Sequence, residues 1–463
     1  MTDTIRENKM GTMPIHRLLV NMAFPMIASM MVSALYNIVD SIFVARIVDT
    51  GQAGSAGTQA LVAVGMAFPF QTLLIAFAAG TGVGLNSLLS RSLGEKDYDT
   101  VNRAAVNGIF CYAAGYIFFL LAGIFLPEIL IRSQGGAGLS LTYGTQYLRI
   151  VYMCSFGILT QFCFERLLQS TGLTFWSMVT QMTGAIVNII LDPILIFGLF
   201  GLPELKVAGA AIATVAGQII AGIVSIYLNH KKNHEVRLSF KNFRPDKDVI
   251  KRIYVVGLPS IIMQSIGSIM TYSMNKILVS LDAAAVAVFT VYFKLQSIFF
   301  MPLFGLNNGM IPIVAYNYGA RHRRRMIQVI KVSMVYALGF MLIGFCLFEF
   351  LPEPLLRVFD TKDPSLILIG VPALRKIAIH FLIAWFCIIA GSVFQALGNG
   401  VYSLVVSVAR QLGALIPAAW ILAKIGGLDL IWWCFPIAEL VSFAFSSYFL
   451  IRINRQIISR VPD

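Results

Sequence analysis

Residues 104–126 read AAVNGIFCYAAGYIFFLLAGIFL, 23 consecutive positions without a charged side chain. Wound as an α-helix, such a run is about 35 Å long, enough to cross the roughly 30 Å hydrocarbon core of a bilayer with its backbone hydrogen bonds closed internally. The pattern recurs on both sides of it. Apolar runs predict helices at 16–48, 58–88, 104–126, 143–169, 174–200 and 207–229, then at 250–281, 284–315, 328–351, 369–396, 401–425 and 428–452. Of the 463 residues, 58% are hydrophobic and 12% charged, against about 25% charged in a soluble domain. The chain reads as an all-α integral membrane protein of twelve transmembrane helices, numbered here spans 1 to 12, with little sequence left over for a soluble domain.

The net charge of +13 does not point to nucleic acid. The Lys and Arg residues sit in short connections between apolar runs rather than on amphipathic faces, which makes them topology signals. Only Asn229 to Arg252 forms a long polar connection, crowded by Lys231, Lys232, Arg237, Lys241, Arg244, Lys247, Lys251 and Arg252. It divides the chain into an N-terminal lobe (1–228), an interlobe linker (229–249) and a C-terminal lobe (250–463). A cytoplasmic linker places Arg91, Lys96, Arg103, Arg321, Arg323, Arg324, Arg325, Arg452, Arg455 and Arg460 on the same side; the opposite connections carry few cations, such as Arg132, Lys206, Lys362 and Lys424. Both termini are therefore expected in the cytoplasm. The polar start, Met1 to Met13, precedes a run too long for a cleaved signal peptide, so that run is expected to be retained as span 1. The six cysteines lie in or beside apolar runs without CxxC or CxxH spacing, which argues against disulfides and structural zinc.

The two halves repeat at a spacing of about 225 to 234 residues. Leu148 and Arg149 match Leu374 and Arg375, Gln169 and Gly172 match Gln395 and Gly398, Gly84 and Gly94 match Gly309 and Gly319, and Pro25 matches Pro259. Each half has an even number of spans, so the copies share one orientation. Two six-helix bundles related by a pseudo-two-fold axis along the membrane normal follow, a transporter architecture.

A charge at mid-bilayer is costly and usually marks a site or a path. Asp40 stands in YNIVDSIFVARI of span 1. Asp192 stands in NIILDPILIFG of span 5, with Asn188 four residues earlier and so on the same helix face. Thr214, in GAAIAT of span 6, adds a hydroxyl among small residues that allow close helix approach. Converging in low dielectric, these groups could take up a proton or coordinate a hard cation such as Na+. Simpler roles exist: Asp192 beside Pro193 could face the outer interface, and Asp40 could pair with Arg46. The repeat argues against them, because sliding the halves brings Asp40 near Met274 to Lys276, and Asn188 and Asp192 onto the apolar stretch Leu412 to Ala418. A need imposed by the shared fold would appear twice.

The second half has its own intramembrane charges, Lys276, Lys294, Arg410 and Glu439, which could simply compensate one another. Gln161, Gln264, Lys294, Gln296, Gln395 and Arg410 are the polar residues assigned to a substrate cavity, although amides also join helices to one another. GTGVG at Gly80 to Gly84 follows no strand and reads as helix packing rather than a phosphate loop. The five histidines form no HExxH, and no nucleophile with its base stands out, so an enzyme is not expected.

YNIVDSIFVARI, SRSLGEKD, NIILDPILIFG, VAGAAIAT, FKLQS and IPIVAYNYGA occur in that order along nearly the whole chain. In these segments it resembles the multidrug and toxic compound extrusion (MATE) family, closest in style to the MepA-like and DinF-like bacterial members. The resemblance implies an N-terminal-lobe cation site with an acid on span 1, an Asn and an Asp on span 5 and a Thr on span 6, roles that fall on Asp40, Asn188, Asp192 and Thr214. A further span 4 amide of some members has Phe162 at its position here, with Gln161 beside it. The implied activity is secondary antiport: export of organic cations or lipophilic drugs in exchange for H+ or Na+, by alternating access. No cofactor, and no metal beyond Na+ at Asp40, Asn188 and Asp192, is implied. The expected setting is the bacterial cytoplasmic membrane, as a monomer in the lipid bilayer. A rival within the same superfamily, a lipid-linked saccharide flippase, would need a strongly cationic cavity, for which Lys276, Lys294 and Arg410 are the candidates.

Overall fold

A computed structural model of the chain describes residues 8–45, 47, 56–240, 243–357 and 364–461. Arg46, Lys241 and Lys362 lie outside the described residues. Among those described, the chain is helical and contains no strand. Span 1 is Ile15–Ala45, span 2 Ala56–Gly94, span 3 Tyr98–Phe125, span 5 Thr174–Phe197 and span 6 Lys206–Lys232. In the second half span 7 is Lys247–Leu281, span 8 Ala283–Gly319, span 9 Arg323–Phe350 and span 12 Cys434–Gln456. Among the described residues, ten helices are long and apolar enough to cross a membrane, or twelve if each of two bent pairs is one span.

The bent pairs correct the sequence reading. Residues 143–169 and 369–396 were each expected as one helix. Span 4 is instead Gly138–Met153 followed by Phe156–Ser170 at 45°, and span 10 is Pro364–Ala378 followed by Phe381–Ala396, bent by 52°. The breaks fall at Cys154 and Ser155 and at Ile379 and His380, where a single polar residue interrupts a stretch that stays apolar on average across both pieces, so hydropathy does not register the break. The two breaks occupy the same place in the repeat, and both spans end alike: Gly172 and Gly398 close them at φ +86° and +81°, a left-handed conformation that glycine adopts without steric cost. Span 11 also differs from a plain helix. Gly400–Val408 passes into a π-helical turn, Ala409–Leu415, before Ile416–Ile431 resumes. Gly426 and Gly427 kink that last piece.

A further repeat lies in the connections. LPEILIR (126–132) precedes span 4 and LPEPLLR (351–357) precedes span 10; each forms a short helix, Pro127–Ser133 and Pro352–Arg357, with proline at its start. Each is braced by an ion pair four residues apart, Glu128 with Arg132 and Glu353 with Arg357.

The described chain packs as two compact units. The first comprises Ala28–Leu89 and Asp97–Gly257; the second comprises Met1–Ile27, Ser90–Lys96 and Leu258–Asp463. Thus the opening turns of span 1 belong with the second half of the chain, and those of span 7 with the first half. Glycines make this exchange possible. In the first unit a Cβ at Gly84 would stand 2.0 Å from the Ile253 carbonyl oxygen, and in the second unit one at Gly309 would stand 2.7 Å from the Ala23 Cα. Also within the second unit, a Cβ at Gly94 would stand 2.0 Å from the Tyr316 carbonyl oxygen and one at Gly319 2.1 Å from that of Arg91. Of the repeat glycines seen in sequence, Gly84, Gly94, Gly309 and Gly319 are points where helix backbones touch.

Candidate functional site

The acidic site is built in the first unit from spans 1, 5 and 6. Span 5 ends at Gly198, φ +68°. Its face carrying Asn188 and Asp192 lies along span 6 on a seam of small residues. A Cβ at Gly217 would meet the Gly184 carbonyl oxygen at 2.6 Å and the Asn188 Cβ at 3.3 Å, and one at Gly209 would meet the Leu195 carbonyl oxygen at 2.5 Å. This approach brings Thr214 to the amide: Asn188 Nδ2 donates to Thr214 Oγ1 at 3.4 Å and to Asp192 Oδ1 at 3.3 Å. Asp192 is fully buried, and Asn188 and Thr214 nearly so. From span 1, the Asp40 carboxyl faces that of Asp192 within hydrogen-bonding reach. Tyr147 of span 4 stands beside both acids and donates from its hydroxyl to Gln71 Oε1 at 3.4 Å.

All four residues assigned to ion coupling therefore meet. Three of their buried oxygens, Asp40 Oδ1, Asp192 Oδ2 and Asn188 Oδ1, have no hydrogen-bond partner among the described residues. Among the described residues, no Lys, Arg or His is paired with either acid. An unsatisfied buried oxygen is expensive, and a second carboxylate beside it more so. An all-oxygen donor set of this kind suits a proton or a hard cation, not a transition metal, and no cluster of three His, Cys, Asp or Glu residues occurs among the described residues.

The residues assigned to a cavity do not gather in the same way. Gln161 belongs to the first unit and is committed to a buried network: its Nε2 donates to Glu165 Oε1 at 2.9 Å, and Thr180 Oγ1 donates to the same oxygen at 2.9 Å. Beside it Arg166 Nη1 donates to Gln169 Oε1 at 2.7 Å, and Gln169 Nε2 to Ser177 Oγ at 2.8 Å. Glu165 and Arg166 were missed in the sequence, although two adjacent charges inside FGILTQFCFERLLQS, with Gln161 four residues before Glu165, were the signal. In the second unit Gln264 and Gln296 are half-buried, Gln395 is buried, and Lys276 and Lys294 are exposed on their helices. Arg410, on the π-helical turn, pairs with the buried Glu439 at 3.6 Å. Tyr292, His380 and Cys387 surround that pair.

A family model described as MatE matches residues 25–194 and again 259–421, once in each half. The chain belongs to the MatE family. The two matches start at the repeat prolines, Pro25 and Pro259. MatE relatives named multidrug export protein MepA include one from Staphylococcus haemolyticus, 26% identical over 94% of this chain and 93% of that protein. Another, from Staphylococcus aureus strain N315, is 24% identical over 92% of this chain and 91% of that protein. Among solved structures, an outward-facing multidrug resistance MATE family transporter of the MOP superfamily superposes with a TM-score of 0.88 at 23% identity, covering 97% of this chain and 99% of that one. A MOP superfamily transporter from Pyrococcus furiosus gives 0.89 at 23% identity over 98% and 99% of the two chains. The MatE fold of this chain is thereby established.

Proposed function

We propose that the protein is a secondary antiporter that exports organic cations or lipophilic drugs in exchange for H+ or Na+. The observation that carries this reading is the contact between Asp40 and Asp192, with no cation paired to either among the described residues. Two ionised carboxylates this close in an apolar setting repel strongly, so the site holds its charge only with a mobile cation bound. Loading that cation neutralises the pair and draws Asn188 and Thr214 onto it; losing it leaves repulsion between spans 1 and 5. Ion binding thus biases the packing of the N-terminal lobe (1–228). Alternating access follows if outward- and inward-facing arrangements of that lobe and the C-terminal lobe (250–463) differ in affinity for the ion. The names of the MepA relatives support drugs as cargo.

The membrane orientation rests on the arginine-rich end of the second unit. There Asn317 and Arg325, at the end of span 8 and the start of span 9, hold the Met10 carbonyl of the N-terminal segment, and the end of span 12 lies at the same end, beside Tyr318 and Gly319. A cytoplasmic placement of that end agrees with the positive-inside rule. The flippase alternative is weakened because Arg410, one of its three cations, is held by Glu439. The test is efflux of an organic-cation dye from proteoliposomes under an imposed pH or Na+ gradient. One gradient should drive wild-type efflux, and Asp40→Asn or Asp192→Asn should abolish it; efflux by either variant at the wild-type rate would sink the mechanism.

A further inference from the structure

A pocket of about 440 Å³ opens in the second unit where span 2, span 8 and the segment after span 12 meet. Gly319, whose backbone meets that of Arg91, is among its lining residues. Three arginines line it, Arg91, Arg321 and Arg460, with Glu95 as the acid among the lining residues. Glu95 is already engaged: Arg91 Nε donates to its Oε1 at 2.9 Å, and the Arg91 guanidinium lies 4.8 Å over the Tyr318 ring. Arg321 and Arg460 are exposed and have no acid partner among the described residues. Among the described lining residues, positive charge therefore exceeds negative.

The backbone adds a second observation. Arg321 adopts φ +58° immediately after span 8, and its repeat mate Lys96 adopts φ +58° after span 2. Glycine would occupy that position without the roughly 1 kcal/mol steric cost of a side chain. At residue 321 the strained conformation presents a guanidinium to the pocket wall. Ile457 and Val461 supply an apolar margin beside the charges.

We propose that this pocket binds the phosphate headgroup of an anionic phospholipid in the leaflet at the arginine-rich end of the protein. Arginine forks match phosphate oxygens, and basic pockets between membrane helices recognise anionic headgroups. The pocket stands at the ends of three membrane helices, where bilayer headgroups would lie, with apolar residues beside its charges. A lipid there ties together span 2, span 8 and the chain after span 12.

The probes are short-chain phosphatidylglycerol, short-chain phosphatidylcholine and inorganic phosphate, added to purified protein in neutral detergent and followed by native mass spectrometry and thermal unfolding. Phosphatidylglycerol should be retained and should raise the unfolding temperature, while the other two probes at equal concentration should do neither. The double variant Arg321→Gln/Arg460→Gln should bind phosphatidylglycerol about tenfold more weakly or worse, and Arg455→Gln, at the same end but outside the pocket, should bind it normally. The single variant Arg460→Gln, at an exposed position beyond span 12, should weaken binding in the same direction and serves if the double variant does not fold. Equal binding of the two lipids, an equal loss with Arg455→Gln, or displacement of the lipid by inorganic phosphate at the same concentration would each overturn the proposal.

Discussion

Two buried acidic centres, one in each unit, meet the same physical problem in opposite ways. Glu439 in span 12 is nearly inaccessible and takes its counter-charge from Arg410. Both centres leave buried oxygens without a hydrogen bond, Glu439 Oε1 in one and Asp40 Oδ1, Asp192 Oδ2 and Asn188 Oδ1 in the other, but Asp40 and Asp192 have no cationic partner among the described residues. A permanent internal cation makes a carboxylate structural. A missing one leaves it dependent on whatever cation arrives. On the proposed function, the difference separates a centre that takes up a mobile cation from one that carries its charges as fixed parts.

The largest expected effect tests the compensated centre. Arg410→Met strands Glu439, and breaking a pair of this kind should cost about 3 kcal/mol, read as a lower unfolding temperature in detergent. Arg410→Met/Glu439→Met should recover most of the loss, because two apolar side chains need no compensation. If the single variant unfolds like wild type, Arg410 is not the counter-charge and the comparison fails.

A smaller effect sharpens the other side. Asn188→Leu removes the donor shared by Asp192 and Thr214, so about 1–3 kcal/mol of interaction is lost. Transport should fall about 5- to 150-fold while the protein still folds and inserts. Measured initial rates of dye efflux at saturating gradient check this, and an unchanged rate would remove Asn188 from the site.

The smallest effect lies outside the membrane, at the corner between spans 2 and 3. Asp97 caps span 3: its Oδ1 accepts from the Thr100 backbone N–H at 3.0 Å and its Oδ2 from the Thr100 hydroxyl at 2.6 Å. These bonds, the side-chain one above all, with the nearby Arg103, hold its carboxyl below the usual carboxylate range. A depressed value means that the capping contribution is present above the ordinary carboxylate range and is lost as pH falls through the lowered value. Asp97→Ala should cost about 1 kcal/mol near neutral pH and nothing once the wild-type carboxyl is protonated, as thermal unfolding across an acid series would show.

The comparison between the two centres was half legible in the sequence. Asp40 and the Asn188 and Asp192 pair stood out because acids are rare in apolar runs and because a spacing of four places residues on one helix face. Their lack of copies in the second half was visible as well. Whether Arg410 and Glu439 touch was not, since they lie on different spans and Arg410 sits on a π-helical turn that shifts the face its side chain presents. The bends in spans 4 and 10 left no trace in hydropathy, because the polar residues at the breaks, Ser155 and His380, sit in stretches that remain apolar on average across both pieces. The LPEILIR and LPEPLLR repeat was readable and was passed over, as was the charge pair Glu165 and Arg166, whose partners come from spans 4 and 5 and exist only once the helices pack.

The most direct test of the central claim is ion release on cargo binding. Detergent-solubilised protein, loaded with its coupling cation in weakly buffered solution, is mixed with an organic-cation substrate, and released H+ or Na+ is recorded. Wild type and Glu439→Gln should release the ion, and Asp40→Asn and Asp192→Asn should not. Undiminished release from both aspartate variants, or its loss in Glu439→Gln alone, would contradict the account.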